Sequence, residues 1–73
     1  MLVINDSNSI VYVTIWDGVL PIVTGVNPGY SALYDIVPGH TRVTLSCYNK
    51  NREMEDLCTK LLLKKRCNLR VRD

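Results

Sequence analysis

Hydrophobic and polar residues alternate through most of the first two thirds of this chain. The clearest run is Ile10 to Thr24, where two strand-like segments, IVYVTIW and VLPIVT, flank Asp17-Gly18. Asp-Gly between alternating apolar residues predicts a β-hairpin, because both central residues of a type I′ turn need positive φ. A two-residue turn sets the register: Trp16 faces Val19, Ile15 faces Leu20, Val13 faces Ile22 and Val11 faces Thr24. One face then carries Val11, Val13, Ile15, Leu20 and Ile22. The other carries Tyr12, Thr14, Trp16, Val19, Pro21 and Val23. Pro21 cannot donate to a ladder, so the second strand is expected at an edge or bulged.

Similar signals lie on either side. Leu2 to Ile4 predicts a short opening strand, and Asn5 to Ser9 a polar loop of turn-forming residues. Pro28-Gly29 and Pro38-Gly39 are suited to the central positions of type II turns. Between them Tyr30 to Val37 alternates, with Tyr30, Ala32, Tyr34 and Ile36 on one side. Thr41 to Tyr48 alternates again, turning Val43, Leu45 and Cys47 inward and Arg42, Thr44, Ser46 and Tyr48 outward. Residues 1–48 therefore read as an antiparallel β-meander.

The period then changes. Asn49-Lys50-Asn51 offers a helix N-cap, acids at Glu53, Glu55 and Asp56 suit a first turn, and bases at Lys60, Lys64, Lys65 and Arg66 suit the last turns. Met54, Leu57, Cys58, Leu61 and Leu62 fall within an arc of roughly 140° on a helical wheel. A helix over residues 51–66 is expected. Leu63 lies on its opposite side, which predicts burial of both sides, one by the sheet and one by a partner. Residues 68–72 alternate once more, as a short last strand or a frayed tail. The expected fold is mainly β with one α: a small antiparallel meander forming an open sheet, sandwich or barrel, closed by a C-terminal amphipathic helix.

Length adds a constraint. At 73 residues the chain reads as one small domain, and a domain of that size buries only about 60% of the surface its unfolded chain exposes. Oligomerisation, a disulfide or a bound partner would supplement such a core. Hydrophobic residues at 47% and charged residues at 22% are ordinary globular values and argue against disorder. No apolar run approaches the roughly 18 residues of a spanning helix, so no membrane contact is expected. MLVINDSNS lacks the basic and apolar regions of a signal peptide. With an odd cysteine count, that leans toward an intracellular setting. Asn5-Asp6-Ser7 matches a glycosylation sequon, which has meaning only in a secretory compartment.

Candidate chemistry is sparse. Cys47, Cys58, Cys67 and His40 invite a zinc reading, but close ligand pairs are missing. A strand from Thr41 to Cys47 would also separate His40 from Cys47 by roughly 23 Å. The same separation removes His40 as a base for Ser46 or Cys47. No phosphate-binding loop, nucleophile elbow or paired-carboxylate site is present, and no catalytic residue, cofactor, metal or small-molecule substrate is expected. Cys47 and Cys58 read as small core residues.

Charge is uneven. One Arg against three Asp leaves residues 1–49 at net −2, whereas eight Lys and Arg against four acids leave residues 50–73 at net +4. Two binding readings follow. The leading one is a non-enzymatic protein-interaction module that self-associates through Tyr12, Trp16, Val19, Val23 and Leu63, because an uncovered aromatic hairpin face is the kind that anchors partners. Its size would suit an accessory or assembly factor, for example of a virus. The alternative is nucleic-acid binding through Lys60, Lys64, Lys65, Arg66, Arg70 and Arg72, without aromatic interleaving, since Trp16 and the four tyrosines all precede this segment. A second alternative is a secreted effector with a Cys47–Cys58 disulfide.

Overall fold

A computed structural model of the chain describes residues 1–16, 18 and 20–73. Among them are seven strands: β1 (Leu2–Asp6), β2 (Val11–Trp16), β3 (Ile22–Val26), β4 (Ser31–Leu33), β5 (Arg42–Tyr48), β6 (Met54–Leu61) and β7 (Asn68–Arg72). They form two sheets, one ordered β4-β1-β7 and one ordered β3-β2-β5-β6. The mainly-β expectation holds, but the consecutive meander does not. β1 leaves the hairpin sheet to pair antiparallel with β4 and parallel with β7.

The two sheets enclose a common core. β1 contributes Val3, β2 contributes Val11 and Val13, β3 contributes Val26, and β5 contributes Val43 and Leu45; Met1, Ile36 and Leu62 complete it from connecting segments. The alternation expected for Thr41 to Tyr48 is correct for Val43 and Leu45, while Cys47 is only partly buried. Ala32, Leu69 and Val71 pack on the core from the smaller sheet. The last residues are thus a paired strand, with Arg70 and Arg72 turned outward.

Asn5 joins the sheets. It lies on β1 at 0% exposure, yet its amide nitrogen donates to the Ser9 carbonyl and to the Val26 carbonyl of β3, each at 2.8 Å. Its side-chain oxygen accepts from the Ser7 backbone N–H at 3.0 Å and from Ser7 Oγ at 2.6 Å. Its backbone N–H donates to the Tyr30 carbonyl, and its carbonyl accepts from Gly29. The expected loop therefore begins later, and the sequon nitrogen is committed to two hydrogen bonds, the one to Val26 buried.

Both Pro-Gly turns form as read. Gly29 and Gly39 have φ of 81° and 79°, matching the third position of a type II turn. Tyr30 N donates to the Asn27 carbonyl and His40 N to the Val37 carbonyl, each at 3.1 Å. The hairpin register differs: Ile15 pairs with Ile22, Val13 with Thr24 and Val11 with Val26. This is a shift of two residues from the register of a two-residue turn, and an even shift keeps every side chain on its expected face. The expected turn falls on Asp17 and the pair of Trp16 with Val19, both involving positions outside the described residues. β3 is an edge strand, as Pro21 implies.

The helix over 51–66 is not formed; strand β6 occupies its centre and pairs with β5. Two local features explain the difference. The Asn49 side-chain oxygen accepts from the backbone N–H groups of Asn51 and Glu53 at 2.9 and 3.0 Å, so the supposed cap closes a β-turn with the same chemistry. Arg52 completes that turn at φ 61°. A β-bulge then breaks the period. Ser46 pairs with Asp56 but Leu45 pairs with Cys58, leaving Leu57 as the extra residue. The phase jump turns one alternating strand into two halves whose apolar positions mimic a helical repeat.

Replacing Asn5 with Leu removes four side-chain hydrogen bonds, including the buried one to the Val26 carbonyl, and should cost about 3 kcal/mol in urea unfolding. Deleting Leu57 separates strand from helix. In a ladder it regularises the pairing, so cooperative unfolding should survive with a loss under about 2 kcal/mol. In a helix it would rotate everything downstream by about 100° and expose the core face.

Candidate functional site

The outer face of the four-stranded sheet carries three cross-strand rows. Trp16 on β2 lies opposite Arg42, which lies opposite Leu61; Thr14 is followed by Thr44 and Thr59; and Tyr12 is followed by Ser46 and Asp56. Val23 on β3 pairs with Thr14, and Met54 on β6 pairs with Tyr48. Each residue is presented by strand alternation, and the bulge at Leu57 is what returns Thr59 and Leu61 to the side of Met54 and Asp56.

The threonine row is stitched by a Thr44–Thr59 hydroxyl hydrogen bond of 3.1 Å. Ser46 Oγ donates to Asp56 Oδ1 at 2.8 Å. Tyr12 and Tyr48 meet edge to face, with ring centroids 5.7 Å apart and planes at 87°, a favoured aromatic geometry. A shallow groove of about 270 Å³ runs between Tyr12, Thr14, Trp16, Val23, Thr44, Ser46, Met54 and Asp56. Trp16 remains 43% exposed and Val23 57%. The face offers apolar contact area with a few fixed hydroxyls.

The structure thus brings Tyr12, Trp16 and Val23 together, as the sequence implied. Val19 lies outside the described residues. Leu63 does not join them: it is exposed beyond the end of β6, the strand farthest from β3 in the sheet order. Without a helix, the argument for a second buried side at Leu63 disappears. Tyr48, Met54 and Leu61 belong to the face and were missed as site residues. The outward position of Tyr48 was legible from alternation, whereas the bulge concealed Met54 and Leu61.

The six basic residues are dispersed. Lys60 lies on edge strand β6 opposite Val43, Lys64 to Arg66 occupy the connection to β7, and Arg70 and Arg72 lie on the edge strand of the other sheet. Arg70 Nε stands 3.3 Å from Asp6 Oδ2, both side chains about half exposed, a pair worth under about 1 kcal/mol. A second cavity of about 470 Å³ is bounded by Leu2, Leu33, Tyr34, Asp35, Lys65, Arg66 and Cys67, among others. It assembles distant segments that no local motif marked.

The cysteines are free, and Cys58 and Cys67 pack against the core. Among the described residues no three His, Cys, Asp or Glu side chains converge as metal ligands, and no helix is long and apolar enough to cross a membrane. The chain matches no protein-family model, no curated protein and no solved structure.

The Tyr12–Tyr48 contact should register in a double-mutant cycle. Alanine substitutions singly and together should reveal a coupling of about 0.5–1.5 kcal/mol in unfolding free energy; additive losses would dissolve the pair.

Proposed function

We propose that this protein is a non-enzymatic interaction module that self-associates through its β2–β3 hairpin. The observation carrying this reading is surface area. The chain exposes 5306 Å² at a mass of 8.3 kDa, whereas a compact monomer of that mass exposes about 4,600 Å². The excess of about 700 Å² approaches the roughly 800 Å² each partner contributes to a standard interface.

Four exposed large apolar residues cluster on this hairpin, Leu20 at 79%, Ile22 at 63%, Val23 at 57% and Trp16 at 43%, while others such as Leu33, Leu63 and Tyr30 lie elsewhere. An aromatic anchor beside branched aliphatics is the composition of an interface centre. A small core adds a motive, since association supplies burial that the monomer lacks. Nucleic-acid binding has weaker support, because the basic residues divide between two sheets and a connection, and Arg70 faces Asp6.

Light scattering across a tenfold concentration range in reductant tests the reading. The expected mass is about twice 8.3 kDa, and Trp16→Ala should weaken association by about tenfold or more. A monomer at every concentration would refute self-association.

A further inference from the structure

The four strands at sheet edges are not alike. β6 carries a bulge at Leu57, acids at Glu55 and Asp56, and Lys60 directed toward the core side of its sheet. β7 carries Arg70 and Arg72, and β4 is only three residues long. Bulges, charges, prolines, inward-pointing lysines and short length are the means by which proteins keep a sheet edge from pairing with another chain. Within its bounds β3 has no bulge, charge or proline. Ile22–Val26 reads IVTGV, without a charge, and pairs in regular register with β2. Pro21 precedes the strand and leaves its five amides intact.

β3 is also largely apolar. Ile22 and Val26 lie on the core side with Thr24, whose hydroxyl meets Tyr34 OH at 2.6 Å, and Val23 lies on the outer side; four of its five residues are exposed. Apolar residues on both faces are typical of a strand in the interior of a sheet.

The geometry points to a second copy of this chain as the missing neighbour: β3 of one copy pairs antiparallel with β3 of the other. The two four-stranded sheets then become one eight-stranded sheet about a two-fold axis perpendicular to it. Three observations select a second copy. The strand is uncharged, so two copies meet without like-charge repulsion. The pairing is isologous and closes after two subunits, as two-fold contacts do. The other edges are guarded, so assembly stops there instead of growing into a fibre. In the dimer the grooves beside Tyr12 and Trp16 stand on one continuous face.

This inference rests on the self-association reading and specifies its mode, so the experiment separates the two. Backbone hydrogen exchange of the native protein is measured at concentrations where light scattering gives the dimer, and again on dilution. Edge pairing predicts that the β3 amides not bonded to β2 are protected in the dimer and released on dilution. Two charge variants complete the test, each checked for cooperative unfolding. Val23→Lys, on the edge strand, should weaken dimerisation by about tenfold or more, whereas Leu63→Lys, exposed beyond the end of β6 and away from that face, should leave it unchanged. A dimer whose outward β3 amides exchange freely, or one split by Leu63→Lys and not by Val23→Lys, overturns edge pairing while self-association stands. A monomer under all conditions overturns both.

Discussion

The architecture depends on one buried amide. Asn5 is the point where the two sheets are tied, because its side chain reaches from β1 to the Val26 carbonyl of β3 and holds Ser7 and Ser9 in the connection between β1 and β2. A buried amide with unmet bonds would be costly, but here two donors and an acceptor oxygen all find partners. Such a network has little tolerance for alternatives. Its hydrogen bonds require β1, the β1–β2 connection and the end of β3 to lie within reach of one side chain, a constraint that apolar contacts between valines do not impose.

Around that tie the core is small and made mostly of β-branched residues. Valines on β1, β2, β3 and β5 meet between the layers, where stiff χ1 rotamers and pleated backbone agree. A core of this size leaves large apolar side chains outside. Trp16, Val23, Tyr48, Met54 and Leu61 lie on the outer face of the four-stranded sheet, opposite its core side, while others, such as Leu33 and Leu63, are exposed elsewhere. The aromatic groove and the unprotected β3 edge are thus consequences of one arrangement, a four-stranded layer only partly covered. Function by association is the reading that makes use of both.

The segment from Asn49 to Leu62 shows how far local chemistry can mislead. An Asn side-chain oxygen that accepts from the N–H two residues ahead suits a helix cap and a β-turn alike, but the second bond of Asn49 goes to Glu53, four residues ahead, which a helix cap does not make. Acids early and bases late suit a helix dipole, but on β6 they flank a bulge on an exposed edge. The deciding influence is non-local. β5 presents an unpaired ladder after its pairing with β2, and β6 satisfies it through seven residue pairs. Backbone pairing and burial of Cys58 and Leu62 outweigh helix propensities that differ by only tenths of a kcal/mol per residue.

What the sequence by itself determined is local: the alternating faces of β2 and β5, the type II turns at Gly29 and Gly39, the edge position of β3, and the company of Tyr12, Trp16 and Val23 on one face. Each follows from constraints within a few residues, namely side-chain period, proline's missing donor and glycine's access to positive φ. Only the tertiary structure decided which strands became neighbours, that β7 lies parallel to β1, that Leu57 is extruded as a bulge, and that Met54 and Leu61 join the outer face. Those outcomes depend on pairing between segments dozens of residues apart, where the free energy of a shared ladder and core is absent from any single window of sequence.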